Sequence, residues 1–189
     1  MDSLDEANRL FAECARAPRR WNGKPPAKPR EPQPSEILDR MPPADVEAEQ
    51  CLIGSLMIRP ELLGEVEQVV SPGHFHSEAH GIIYEFIRSG KTGDVVLLRH
   101  MLKKAKKLED IGGDAYLMEC GMAVPIAANA VQYALIVREK FLLRSLLQVA
   151  TQMLKQTYAD EADPLAIAAE AARGLERIVH DTKATYEPF

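Results

Sequence analysis

The sequence is short of every element that would mark a secreted, metal-bound or membrane-spanning protein. It has three cysteines, Cys14, Cys51 and Cys120, an odd number set far apart and with no CxxC spacing. Neither a disulfide framework nor a structural zinc module follows from that pattern, and buried, idle thiols in a reducing cytoplasm are expected. No run of about 18 apolar residues occurs, so no membrane partner is expected. The N-terminus, MDSLDEANRLFAECARAPRR, is charged from residue 2 and lacks the apolar core of a signal peptide. Nor is there a strand pattern or an internal repeat. Positive charge is in deficit: 23 Lys and Arg stand against 28 Asp and Glu, a net charge of -5. A protein that coats nucleic acid mainly by charge is excluded for the chain as a whole.

What is present is 189 residues, 46% hydrophobic and 27% charged, enough for one domain with a tail. Eight of the 13 prolines fall between Pro18 and Pro43. Residues 1–40 therefore read as a short helix over about 3–15 and then a proline-rich, flexible tail. Six basic residues and no acidic one lie between 16 and 30, with the single tryptophan among them. Arg19, Arg20, Trp21, Lys24, Lys28 and Arg30 form a candidate nucleic-acid contact, because cations hold phosphates and an indole stacks on a base. The bland reading is a solubilising linker.

From residue 41 helical periodicity begins. Asp45 is placed to cap a helix to about Met57, with Leu52, Ile53 and Leu56 inward. Pro60 suits the start of a second helix carrying Leu62, Leu63, Val66 and Val69. Ser77 is placed to cap a third, with Ile82, Ile83, Phe86 and Ile87 inward. A fourth is expected over 95–107 and a short one over 115–122. Residues 128–158 then form a helix without Gly or Pro. One of its apolar stripes is Val131, Leu135, Leu142, Leu146, Val149 and Met153; a second is Ile136, Leu143, Leu147, Ala150 and Leu154. Two stripes imply two neighbours. Asp163-Pro164 opens a last helix with Leu165, Ala168, Ala172, Leu175 and Val179 on one face and the smaller Ile167, Ala171, Gly174 and Ile178 on another. The short connection makes an antiparallel hairpin. A hairpin alone cannot cover all these faces, so one of them is expected to meet another subunit. The fold class is all-α, a compact head of short helices followed by a long helical hairpin.

Three clusters invite chemistry and support little of it. Gly90-Lys91-Thr92 resembles the end of a phosphate loop, but Glu85 stands where its first glycine belongs. His74, His76 and His80 lack a fourth ligand, and no metal is expected. Lys103, Lys104, Lys106 and Lys107 end a helix, where they complement its dipole or meet an acidic partner or nucleic acid. No nucleophile–base–orienter set stands out, so no catalytic residue is assigned.

An ordered set of short matches is more specific than any of these. It opens with Met41-Pro42-Pro43-Ala44-Asp45-Val46-Glu47-Ala48-Glu49-Gln50 and Leu52, Gly54, Ser55 and Leu56. Phe75, Glu78-Ala79-His80 and Ile82-Ile83-Tyr84 follow, then Asp94 and Leu97-Leu98. Next come Ile111-Gly112-Gly113, Tyr116-Leu117, Val124-Pro125 and Ala128-Asn129. Tyr133-Ala134, Ile136-Val137-Arg138-Glu139-Lys140 and Arg144 complete the set. Over residues 41–183 the chain resembles the N-terminal domain of DnaB-type replicative DNA helicases, with the head at 41–127, the hairpin at 128–183 and the start of a linker at 184–189.

The resemblance implies a non-catalytic collar. Hairpins pair between subunits, the domains form a dimer or a hexameric ring above a motor, DNA is contacted indirectly, and primase docks. Its subunit interface would use Leu135, Leu142, Leu146, Val149, Met153, Leu165, Leu175 and Val179, which could equally be intrasubunit core. ATP and Mg would belong to a motor domain that this sequence does not include, so no cofactor is expected and the chain alone should neither hydrolyse ATP nor unwind DNA. A cytoplasmic location is expected. The alternatives are a stand-alone regulatory subunit that joins a full-length helicase, and a nucleic-acid module working through the tail. The tail reading predicts binding to single-stranded DNA that weakens with salt and vanishes when residues 1–40 are deleted; binding that survives the deletion rejects it.

Overall fold

The computed structural model describes residues 41–159 and 162–183, the last two by backbone alone. The tail with Arg19, Arg20, Trp21, Lys24, Lys28 and Arg30, the expected helix at 3–15, Cys14 and the expected linker at 184–189 lie outside the described residues. Seven α-helices and three single 3-10 turns make up the regular structure of the described part, with no strand among those residues.

Helix α1, Val46–Ile58, forms the centre of the head. Asp45 Oδ1 accepts the Ala48 N–H at 2.9 Å, which satisfies one orphan donor of its first turn. Leu52, Ile53 and Leu56 are fully buried, as their spacing predicts. Burial also runs round the rest of the helix, through Ala48, Glu49, Cys51, Gly54 and Ser55, so α1 is enclosed rather than laid on a surface. A 3-10 turn, Pro60–Leu62, leads into α2, Leu63–Val69, which buries Leu63, Val66 and Val69. After the turn Pro72–His74 comes α3, Glu78–Gly90, capped by the Ser77 hydroxyl. Its inward face holds His80, Ile83, Tyr84 and Ile87, while Ile82 and Phe86 are only partly covered.

Helix α4 runs Val95–Lys104, three residues shorter than its periodicity predicts. Lys106 takes a left-handed φ of 56°, and the Lys106 and Lys107 N–H groups turn back to the carbonyls of Lys103 and Leu102. That closure ends the helix where a glycine usually stands. Helix α5 runs Gly113–Met122. It lies so close to α1 that a Cβ on Gly54 would overlap the Cys120 carbonyl and a Val124 methyl. Helix α6, Ala130–Thr157, spans 28 residues, and α7, Pro164–Lys183, returns beside it. Ala130, Ala134 and Val137 of α6 sit in the same core as α1 and α2. No single helix among the described residues is long and apolar enough to cross a membrane.

Cys51 and Cys120 are buried and unbridged. Burial, with nearby carboxylates, pushes both thiols up, Cys120 to about 11, so they stay protonated and unreactive.

The close α1–α5 crossing makes a sharp comparison. Gly54→Ala should cost about 2 kcal/mol or more by forced separation of the helices. Gly64→Ala, whose added methyl meets nothing within 4 Å, should be neutral or stabilising by about 0.5–1 kcal/mol. Urea denaturation of both variants reads the difference, and equal effects would contradict the packing described.

Candidate subunit interface and its anchors

The hairpin is rooted in the head by buried polar groups. Glu49 is 1% exposed. Its Oε1 accepts the His76 N–H at 2.5 Å, and its Oε2 accepts the Ser77 N–H at 3.1 Å and lies 2.9 Å from His80 Nδ1. The other ring nitrogen of His80 is 2.8 Å from the Tyr116 hydroxyl. In the neutral ring, Nδ1–H donates to the carboxylate and Tyr116 donates to Nε2. The chain of contacts joins α1, α3 and α5. Burial works against the charge on Glu49, but the bonds from His80 and from the His76 and Ser77 amides outweigh it and hold the carboxyl below its ordinary range.

Two arginines of α6 reach the rest of the fold. Arg138, 7% exposed, donates from Nη1 to the Val69 carbonyl at 2.7 Å and from Nη2 to the Asp181 carbonyl. Both acceptors belong to the last turn of a helix, where carbonyls lack partners, so one guanidinium ties α2 and α7 to α6. Arg144 donates to the Pro43 carbonyl at 2.9 Å and to the His74 carbonyl at 2.6 Å. The His74 ring stacks on Phe141 with centroids 4.2 Å apart. Burial and the charges of Arg138 and Arg144 push His74 down to about 4, so at neutral pH its Nδ1 accepts the Ser71 N–H.

The three histidines are therefore not brought together. His80 is in the core, His74 lies against α6 and His76 is exposed. No group of three or more metal-binding side chains occurs among the described residues. Gly90 ends α3 and Lys91 is its left-handed cap, so Gly90-Lys91-Thr92 is an inter-helix turn. The lysine cluster is exposed; Lys107 pairs with Asp110 at 2.7 Å, and Lys103 is 3.9 Å from Asp114.

Beyond its root, α6 is covered on one side only. At 3.6 residues per turn, Ala134, Val137, Arg138 and Phe141 fall on the same side as Ser145 and Val149, so head and α7 share that side. The small face of α7 makes the contact. Ala171 and Gly174 are buried, Ile167 and Ile178 are half-buried, and a Cβ on Gly174 would come within 2.9 Å of a Val149 methyl. Val131 and Val149 of the first stripe are taken up by the core and by Gly174, and the rest of the two stripes, from Leu142 round to Leu147, forms one arc of about 140° that points away from both. Leu135, Leu143, Leu146, Leu147, Met153 and Leu154 on that arc are 36–44% exposed. On α7, Leu165, Leu175 and Val179 are exposed as well, at 82%, 44% and 52%. Of the eight expected interface residues, Leu142 is half-buried, Val149 packs against Gly174 within the hairpin, and the other six lie on the uncovered surface.

The anchors are the residues that sequence reasoning left without a role. The signal for Glu49 was present: it precedes Leu52, Ile53 and Leu56 at helical spacing on the inward face. No local pattern marks Arg138 or Arg144, whose acceptors lie between 43 and 101 residues away in sequence.

A head of short helices with a long hairpin rooted by arginines defines a class of all-α domain. The chain belongs to the DnaB-like helicase N-terminal domain family, whose model matches residues 41–139. It is 33% identical over 146 residues to the replicative DNA helicase DnaC of Bacillus subtilis, covering 75% of this chain and 32% of that protein. It is 35% identical over 149 residues to the replicative DNA helicase DnaB of Geobacillus stearothermophilus, covering 76% of this chain and 33% of that one. The chain thus spans about a third of the length of these curated relatives. The crystal structure of the N-terminal domain of DnaB helicase from Mycobacterium tuberculosis superposes with a TM-score of 0.67 at 33% identity, over 72% of this chain and 99% of that one. A DnaB-like replicative helicase, described with its interactions with primase, gives a TM-score of 0.57 at 28% identity, over 71% and 31%.

The anchor network has a pH signature. Because the folded-state pKa of Glu49 lies below its ordinary 4.5, its stabilisation is present above that value and is lost as pH falls through the folded pKa. Glu49→Gln should be less stable than wild type by about 2 kcal/mol at neutral pH. That gap should close as pH falls below the ordinary carboxylate range and through the lowered pKa of the folded state. Denaturant midpoints measured at several pH values check it; a gap independent of pH would contradict the ionised network.

Proposed function

We propose that this chain is the collar domain of a replicative DNA helicase, a non-catalytic part that assembles with copies of itself as a dimer or hexameric ring. The observation that carries the reading is the uncovered apolar surface running along α6 and α7. Burial of each half-exposed leucine there contributes about 1 kcal/mol. A second hairpin laid on the same surface would bury the set together and complete a four-helix bundle. In that arrangement the head spaces motor domains and offers a docking face to primase, the partner named for one structural relative. ATP and Mg belong to the motor, DNA passes the collar without being acted on by it, and the work is done in the cytoplasm.

Light scattering of the full chain over a concentration series tests the assembly. The expected wild-type mass is a dimer or larger, and Leu146→Asp is expected to leave a monomer with unchanged helical circular dichroism, since Leu146 lies outside the core of the single chain. A wild type that stays monomeric at high concentration rejects the proposal.

A further inference from the structure

The head carries a second uncovered apolar surface that shares no residue with the hairpin. The C-terminal end of α1, the start of α4 and one flank of α5 enclose a groove of about 460 Å³. Its walls are Met57, Ile58, Val96, Leu117, Met118 and Met122. Val96, Met118 and Met122 are 63%, 58% and 78% exposed, and no element of the described chain covers them. Three of the six wall residues are methionines, whose unbranched thioether side chains adapt to irregular apolar guests.

Beside the groove two cations, Arg99 and Lys103, stand against one carboxylate, Asp114. Arg99 and Asp114 line the groove, and Lys103 stands one helical turn beyond Arg99. The single Asp114 carboxylate is shared at 3.8 Å with Arg99 and 3.9 Å with Lys103, too long for either to be a full charge-assisted bond. Further along, Lys107 is held by Asp110, while Lys104 and Lys106 have no carboxylate partner among the described residues. Positive charge therefore collects toward the C-terminal end of α4, beginning one turn past Arg99, although residues 41–189 contain 15 basic and 21 acidic residues. The helix dipole accounts for part of the clustering. It does not account for an apolar groove opening beside it.

We propose that this groove is a docking site for an acidic amphipathic segment of a partner protein. Apolar side chains of the segment fill the space between Ile58, Val96, Met118 and Met122, and its carboxylates meet Arg99 and Lys103. Charge complementarity selects this occupant over others. A nucleic-acid backbone would satisfy the lysines but leave the apolar walls in water. A second copy docked by two-fold symmetry would set one pair of cations against the other. The proposal does not depend on the collar reading, because none of these residues lies on α6 or α7.

The full chain should be titrated against a fluorescein-labelled 12-residue peptide in which aspartate alternates with leucine and phenylalanine. Controls are the same peptide with lysine in place of aspartate and a 12-nucleotide thymidine strand. Saturable binding of the acidic peptide, weakened by added salt, is expected. Arg99→Glu with Lys103→Glu should weaken it at least tenfold, and so should Met118→Ser with Met122→Ser. All four side chains are exposed, so both variants should keep the wild-type circular dichroism and the wild-type mass in light scattering. Absence of saturable binding, undiminished binding by either variant, or equally tight binding of the lysine peptide would overturn the proposal. Displacement of the peptide by the thymidine strand would reassign the two cations to nucleic acid, and a changed mass in the variants would reassign the groove to a second copy; either result also rejects the acidic-segment proposal. A wild type that stays monomeric at high concentration while the peptide still binds would leave this inference standing and the collar reading rejected.

Discussion

Helix α6 is longer than anything in its own chain can cover. Its 28 residues extend about 42 Å, and the head encloses only the part that carries Ala130, Ala134, Val137 and Arg138. Past that point α7 takes over, but on the same side. The opposite side continues apolar for about 140° of the helix circumference, and nothing in the described chain lies on it. Everything distinctive about the protein follows from that mismatch. The head has to hold a lever, the hairpin has to be narrow, and one side of α6 is left uncovered by the described chain.

Holding the lever explains the unusual chemistry of the head. An apolar core alone is non-directional and would leave the exit angle of α6 loosely set. Hydrogen-bonded guanidinium groups are directional. Arg138 reaches the ends of α2 and α7, and Arg144 reaches the chain just before α1 and the turn before α3. The segment just after the His74 carbonyl is itself held in place, because Glu49 grips the His76 and Ser77 amides and the ring of His80. A tilt of 10° at the root would move the far end of a 30 Å arm by about 5 Å, so a fixed root is a condition for repeatable pairing of hairpins. Buried charge is a costly way to gain stability, and its use here fits a demand for orientation.

Much of the fold could be read from local chemistry. Asp45, Ser77 and Asp163 each cap the helix their position predicts. The small face of α7 makes the close approach at Gly174, as small residues allow. Two kinds of information stayed hidden. The end of α4 depends on Lys106 adopting a left-handed backbone, which nothing in a run of lysines announces. The contacts of Arg138, Arg144 and Tyr116 close loops of 36–101 residues and leave no local periodicity behind. The apolar pattern of α6 identified which positions avoid water, but it could not say whether one neighbour or two would cover them. On the structure Val131 and Val149 of the first stripe meet the chain itself, and the rest of both stripes lies on one free surface.

The most direct test of that free surface is hydrogen–deuterium exchange of the full chain, read by mass spectrometry at several protein concentrations. Amides of residues 139–157 and 164–181 should exchange more slowly as concentration rises, while those of α1 and α3 should not change. If the hairpin exchanges at the same rate at every concentration, its apolar face is not covered by another copy, and the account of α6 as an assembly arm is wrong.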